Sequence, residues 1–539
     1  MRNRPAGVIR NPVLPGSHPD PSILRVGPDF YLATSTFEWY PGVRLHHSTD
    51  LVHWRPLGGA LDGTRLLDLT GCPDSGGVWA PSLTHADGLF HLVYSNVSTY
   101  AGGFTDCPNY LITAPSVEGP WSDPVPLHAR GFDASLFHDG PDSRLLNLVH
   151  DWRPGHGGSA GLEARRYDRA ERRLTGDAER IELPPQAGWI EGPNLYRRGD
   201  WYYLLTADGG TGYDHQVTVS RSRTLAGPYT RDPGGPLLTA REHPDLPLQK
   251  AGHGSLVATG DGGWYLAYLV ARPLGRRGPC VLGRETALAP VTWTADGWPR
   301  VETGLPALEV PVGAASFGKG HEDDTDGFDG PALGPQWSTL RRPATPDWVS
   351  LTERPSHLRL RGGRSPQSLV EPSLVARRVT AARCSFEATM EYRPRTFQHL
   401  AGITAYYNTR NWYYLYVTVD DADQTVLRVA SCDRGALSVD EAGEAPLGGT
   451  ARLRLGLDFD GGDLRFRYDT GRGWKPFGPA LDATVLSDEH AEHIEDGQIR
   501  SLGFTGAFVG LWAWDLTGGG HPADFDQVTY LAGEPAPVR

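Results

Sequence analysis

His18-Pro19-Asp20-Pro21-Ser22-Ile23-Leu24 is the first of five related segments in the amino-terminal half of this 539-residue chain. The others are Val78-Trp79-Ala80-Pro81-Ser82-Leu83, Gly131-Phe132-Asp133-Ala134-Ser135-Leu136-Phe137, Ile190-Glu191-Gly192-Pro193-Asn194-Leu195-Tyr196 and Gly252-His253-Gly254-Ser255-Leu256-Val257. Aligned on Ser22, Ser82, Ser135, Asn194 and Ser255, they are spaced by 60, 53, 59 and 61 residues. A repeat of that length reads as one propeller blade, a four-stranded sheet per repeat. A turn and an aromatic-rich strand follow the segments: Ala86-Asp87-Gly88 leads into Leu89-Phe90-His91-Leu92, and Arg198-Gly199-Asp200 into Trp201-Tyr202-Tyr203-Leu204. Such turns between strand-like runs are hairpin signals. No long stretch has helical periodicity. The chain therefore reads as all-β, with a five-bladed β-propeller over residues 1–310. A β-sandwich with coincidental echoes is the competing reading, and the joint recurrence of register, turn and aromatic weighs against it.

The repeats stop near Leu308. Residues 311–325 are small and Gly-rich, then acidic, and read as a linker. From Asp326 the pattern changes to alternating strands such as Leu453-Arg454-Leu455-Gly456-Leu457-Asp458-Phe459. This predicts a second domain over 326–539, a β-sandwich of the concanavalin or jelly-roll kind.

Composition agrees with many tight turns: Gly (67) and Pro (45) exceed ordinary usage. The net charge of -13, with no offsetting basic stretch, argues against a nucleic-acid partner. No apolar run approaches membrane-spanning length, and no secretory signal is visible. The five cysteines are scattered and lack metal spacing, so they read as free thiols in a reducing cytoplasm.

The start of each blade's innermost strand faces the central axis. Asp20, Asp133 and Glu191, at equivalent places in three repeats, are expected to converge there. Converging acids at the mouth of an axial pocket suit glycosidic bond cleavage. An inverting reaction needs a base to deprotonate water and an acid to protonate the leaving oxygen. The acid wants burial or nearby negative charge to hold its proton near neutral pH. Glu191, between Trp189-Ile190 and Gly192-Pro193, has the apolar setting such an acid needs.

These residues carry a resemblance. The chain resembles glycoside hydrolase family 43, and within it the two-domain exo-acting β-xylosidases. The markers include His18-Pro19-Asp20-Pro21-Ser22, Trp79-Ala80-Pro81, Glu191-Gly192-Pro193, Gly252-His253-Gly254, Leu282-Gly283-Arg284-Glu285-Thr286, Tyr406-Tyr407-Asn408-Thr409-Arg410-Asn411 and Gly503-Phe504-Thr505-Gly506-Ala507-Phe508. The resemblance implies that Asp20 is the general base, Glu191 the general acid and Asp133 the modulator, with inversion at the anomeric carbon. It implies that Arg284 binds sugar hydroxyls, that Phe37 and Trp79 wall the pocket, and that His253 sits at its floor. It places Phe508 as a sandwich residue reaching into the pocket mouth, so that the second domain closes the axial channel and only a chain end can enter. The substrate it implies is a short xylo-oligosaccharide, and the assembly a dimer or tetramer.

Two departures from the family pattern bear on specificity. Ala134 stands where proline usually follows the modulator aspartate. His150-Asp151-Trp152-Arg153 replaces Trp-Asp-His-Arg, which moves the rim tryptophan to Trp152; Tyr213 could compensate. A dedicated α-L-arabinofuranosidase and a non-catalytic carbohydrate-binding propeller stay open as alternatives. No cofactor is expected for the chemistry. Asp326, Asp329 and Asp526, from the two ends of the sandwich, could hold a structural Ca²⁺.

Overall fold

The computed structural model describes residues 6–153, 156, 158–184, 189–314, 324–439 and 443–533. Five antiparallel sheets make the propeller. Blade one consists of Ser22–Val26, Asp29–Thr34, Gly42–Ser48 and Arg55–Leu61 in that order. The other blades open with Gly77–Ala86, Ser135–Asp139, Ile190–Arg198 and Gln249–Ala258, and each is likewise built from consecutive strands. The first two strands of each blade form the hairpins read from the sequence. Ala86 pairs with Leu89 across Asp87-Gly88, both at positive φ (52° and 77°), as a two-residue turn of matching twist requires.

The aligned residues of the repeat link each blade to the next. Ser22 Oγ accepts from Leu83 N of blade two (3.0 Å), and Ser82 Oγ from Leu136 N of blade three (3.2 Å). Ser135 Oγ donates to the Pro193 carbonyl of blade four, and Asn194 Nδ2 to the Gly254 carbonyl of blade five (3.3 Å). Ser255 Oγ accepts from Ile23 N of blade one (3.2 Å), which closes the circle. Neither terminal blade borrows a strand from the other. Ala6–Arg10 instead pairs with Glu309–Ala314 beside the propeller, and the Asn11 amide exchanges two 2.9 Å bonds with the backbone of Leu288.

The second domain is a two-sheet β-sandwich of eight and nine strands. Alternation predicts its burial: in Arg452–Asp460 the leucines are buried and Arg452 and Arg454 face solvent. The larger sheet is buried along the whole of His399–Asn408, Asn411–Val419 and Phe508–Asp515. One of its faces packs on the other sheet. The opposite face carries an aromatic layer including Tyr406, Trp412, Tyr414 and Trp512. A piece of the propeller completes this sheet. Trp39–Tyr40, from the loop inside blade one, pairs with Ser338–Leu340, and Trp39 stacks on Phe508 at 4.0 Å between ring centroids.

Four expectations need correction here. The proposed linker 311–325 is flanked by strands. Glu309–Ala314 belongs with the propeller, Asp324–Asp326 pairs with Pro522–Ala532, and 315–323 lie outside the described residues. Phe508 does not reach the pocket. It sits in the middle of the larger sheet, between Leu374–Arg378 and His399–Asn408, and is 1% exposed. Asp326, Asp329 and Asp526 do not form a cation site. Asp326 accepts from the Trp337 indole (2.7 Å) and Gln336 (3.0 Å), Asp329 from Ser356 (2.6 Å), and Asp526 pairs with Arg452 (2.6 Å). Among the described residues no group of three potential metal-binding side chains comes together. The three acids are also not at equivalent positions, as the next section describes.

All five cysteines are buried and unpaired, and among the described residues no helix is long and apolar enough to cross a membrane. Phe508→Ala should lower unfolding free energy by about 3–5 kcal/mol, the usual cost of emptying a buried aromatic site. Denaturant midpoints measure it.

Candidate active site

Two residues before each aligned position, the backbone turns left-handed. Asp20 (φ 55°), Ala80 (32°), Asp133 (55°), Gly192 (57°) and His253 (45°) occupy this place in blades one to five. These five residues line one cavity on the propeller axis, together with neighbours including Ser22, Ser82, Ser135 and Asn194. They form the pocket floor. One residue earlier stand Pro19, Trp79, Phe132, Glu191 and Gly252. Glu191 thus shares its register with Trp79 and Phe132, not with the two aspartates. Neighbouring residues on a strand point apart, so the one-residue offset sets the glutamate off from the aspartates.

Asp20 Oδ2 accepts from Ser35 Oγ at 2.6 Å. Its Oδ1 lies 3.7 Å from Arg284 Nη1 and 3.6 Å from His253 Nδ1. Ser35 Oγ also accepts from Ala80 N (2.8 Å), which ties the residue holding Asp20 to blade two. Asp133 Oδ2 accepts the backbone N–H of Gly192 at 3.0 Å. Burial raises the Asp133 pKa well above the ordinary carboxylate range, and the charges of Glu191 and Asp20 raise it further. Glu191 Oε2 accepts from the Trp189 indole at 2.6 Å. Burial pushes Glu191 up to about 7; the Trp189 hydrogen bond opposes this, and the charge of Asp20 adds to it. Trp189 and Glu191 lie two apart, on one side of an extended segment, which is why the indole reaches the carboxylate.

Gly192 suits the tight place it holds in blade four. A side chain there would strain the left-handed backbone and meet the His253 ring at 3.1 Å. Burial lowers the pKa of His253, against the opposing pull of Asp20, so its imidazole is neutral at ordinary pH. His253 lines the axial cavity with its Nδ1 toward Asp20.

Arg284 is buried at 4% exposure. Its Nη1 donates to Thr211 Oγ1 (2.7 Å), and its guanidinium carbon lies 4.4 Å from the Phe504 ring and 5.6 Å from Phe37. Phe504, not Phe508, is the sandwich residue at the pocket. It touches Phe37 (5.8 Å between centroids) and Trp79 (5.6 Å). Aromatic contacts continue from Trp79 to Phe132 (5.5 Å) and from Phe132 to Trp189 (6.1 Å). A continuous wall thus runs from Arg284 beside Asp20 to Trp189 on Glu191. Sequence reasoning quoted Phe504 in its motif but assigned its role to the next phenylalanine. Phe504 precedes the strand, in the connection that can leave the sandwich, whereas Phe508 begins the strand and is locked in the sheet.

Trp152 is not part of this wall. It is 54% exposed and packs at 4.7 Å on Phe104, itself 64% exposed. Arg153 pairs with the Asp151 carboxylate through two bonds (2.8 and 2.6 Å), fixing the segment with Trp152 turned outward. Tyr213 does not compensate. Its hydroxyl donates to the Gly278 carbonyl (2.7 Å), and its ring lies between Lys250 and Arg277. The Phe132–Trp189 pair takes the wall position instead. Its sequence signal was the shared register of Phe132 with Trp79.

A pocket that places two aspartates and a buried, proton-holding glutamate beside an arginine and an aromatic wall is built for acid–base chemistry on a sugar. Residues 9–299 match the family described as "Glycosyl hydrolases family 43". The chain belongs to glycoside hydrolase family 43. Residues 325–531 match "Beta xylosidase C-terminal Concanavalin A-like domain". Among similar family 43 proteins, "Xylosidase/arabinosidase 43B" of Humicola insolens is 41% identical over 529 residues, 97% of each chain. "Beta-xylosidase" of Bacillus subtilis (strain 168) is 39% identical, covering 97% of this chain and 99% of that one. The crystal structure of a xylan beta-1,4-xylosidase from Bacillus Halodurans C-125 superposes with a TM-score of 0.92 at 45% identity, over 97% of this chain and all of the other.

A hydrogen bond to the ionised form lowers a carboxyl pKa. Trp189→Phe should therefore raise the Glu191 pKa above about 7, where it now stands, and a carboxyl-labelled NMR titration should show the upward shift.

Proposed function

We propose that this enzyme is an inverting exo-glycosidase that releases single xylose units from the non-reducing ends of xylobiose and short β-1,4-xylo-oligosaccharides, with side activity on α-L-arabinofuranosides. The observation that carries it is the offset of Glu191 from the aspartates, beside an aromatic wall that runs from Trp189 through Phe132 and Trp79 to Phe504 of the sandwich. The names of similar proteins support the sugar: they act, by name, on xylosides, and one on arabinosides as well.

In this reading Asp20 takes a proton from water. The water attacks the anomeric carbon on the face opposite the leaving oxygen, and Glu191 delivers its proton to that oxygen as the bond breaks. Asp133 fixes the Gly192 N–H beside Glu191, while burial and the charge of Asp20 help keep the proton on the acid. Arg284 orients sugar hydroxyls with its fork of donors. Trp79, Phe37 and Phe504 cover apolar sugar faces, and His253 lines the floor. The step uses only carboxylates and water. A xylo-oligosaccharide is the partner; the five buried free thiols accord with a cytoplasmic setting, and a dimer or tetramer is the assembly carried over from the family.

Leaving-group chemistry tests the roles. A nitrophenolate departs without being protonated, whereas a sugar alkoxide needs the acid. Glu191→Gln should cut kcat on xylobiose by roughly 10²–10⁴-fold while losing much less on 4-nitrophenyl β-D-xylopyranoside. Asp20→Asn should lose activity on both. Equal losses for Glu191→Gln on the two substrates would reject its role as acid. Because Glu191 must be protonated and its pKa stands at about 7, kcat/KM should fall as pH rises through that value, and this alkaline limb should vanish in Glu191→Gln. A kcat/KM ratio favouring 4-nitrophenyl α-L-arabinofuranoside over the xyloside would make the enzyme an arabinofuranosidase.

A further inference from the structure

Ser75 lies in the connection between blades one and two, fully buried, at φ 59°. It touches neither the acids nor the cavity floor, yet each of its polar groups is used. Its N–H donates to Glu38 Oε2 (3.0 Å). Its carbonyl accepts from the Trp79 indole N–H (2.8 Å). Its hydroxyl donates to the Leu502 carbonyl (2.9 Å) and accepts from Phe504 N (3.2 Å). One propeller residue thus fixes a pocket wall, Trp79, and the sandwich segment that carries Phe504.

Two further hydrogen bonds tie the sandwich segment to the propeller. Leu502 N donates to Tyr100 Oη (3.3 Å), which in turn donates to the Asp74 carbonyl, and the Phe504 carbonyl accepts from Arg284 Nη2 (3.5 Å). The loop holding Ser75 is gripped in turn by the sandwich. Arg341, fully buried, donates to Asp74 Oδ1 (2.6 Å) and to the Cys72 carbonyl (2.7 Å), and Thr409 Oγ1 donates to Asp74 Oδ2 (2.5 Å). The two domains exchange grips across a single loop, and Phe504 and Trp79 meet at its centre.

We propose that Ser75 is a positioning residue that sets the Phe504 ring against Trp79 and Arg284, so that domain docking shapes the mouth of the pocket. This rests on the glycosidase reading above. Ser75→Gly is the informative change, because glycine adopts φ 59° freely while the hydroxyl is lost. It should raise KM for 4-nitrophenyl β-D-xylopyranoside about three- to tenfold, with kcat altered less. Acting through Phe504, it should have no further effect in a Phe504→Ala background. Additive losses in the Ser75→Gly/Phe504→Ala double variant, or an unchanged KM in the single one, would overturn the proposal. If Ser75→Gly does not fold, Tyr100→Phe, which removes the anchor of Leu502 N, replaces it in the same cycle with the same two outcomes. The wild-type protein hydrolysing neither xyloside nor arabinofuranoside would reject the glycosidase reading, and the proposal with it. Normal wild-type hydrolysis with an additive cycle rejects the proposal alone.

Discussion

The pocket depends on a backbone constraint repeated around the axis. Each aligned Ser or Asn that bonds to a neighbouring blade stands two residues after a left-handed turn in its own chain. That conformation costs a non-glycine residue about 1–2 kcal/mol, and only blade four uses glycine. The cost is met by the closed circle of inter-blade bonds and the packing it locks in. What the turn produces is function: it aims the side chain of the turning residue into the axial cavity. Asp20, Asp133 and His253 face one another because the geometry that closes the propeller leaves them nowhere else to point. Strain of this kind collects at functional sites, and here it is structural and functional in the same residues.

The propeller alone makes a floor and an incomplete wall. The sandwich supplies Phe504, and the propeller in return supplies Trp39–Tyr40 as the last strand of the larger sandwich sheet. The Trp39–Phe508 stack lies beneath this exchange. Phe508 acts on the pocket only through packing, by fixing the strand whose preceding turn presents Phe504.

Much of this was legible. The five repeats, their hairpins and the change of pattern after the propeller follow from spacing and alternation, because blade-forming sequence repeats each structural step. Asp20, Asp133 and Glu191 were identifiable by residue type within those repeats, whereas Arg284 followed only from the family resemblance. Less accessible was anything decided by a single-residue register. Glu191 seemed equivalent to the aspartates, though counting back from Asn194 puts it one place earlier, with Trp79 and Phe132. The choice between Phe504 and Phe508 turned on where a strand begins, which alternation fixes only to within a few residues. The acids Asp326, Asp329 and Asp526 resembled a cation site because sequence shows ligands but not competitors; Trp337, Ser356 and Arg452 already hold their oxygens.

The register offset also gives the carboxylates of one site different partners. Asp20 faces Arg284 and accepts from Ser35. Glu191 is turned toward Trp189 and Phe132, where burial, the largest influence on it, holds its proton to about pH 7. That burial is not a property of blade four alone. The aromatic wall beside Glu191 runs through Phe132 and Trp79 to Phe504, which comes from the other domain. Loosening the sandwich would let water toward Glu191 and lower its pKa, because burial is what raises it.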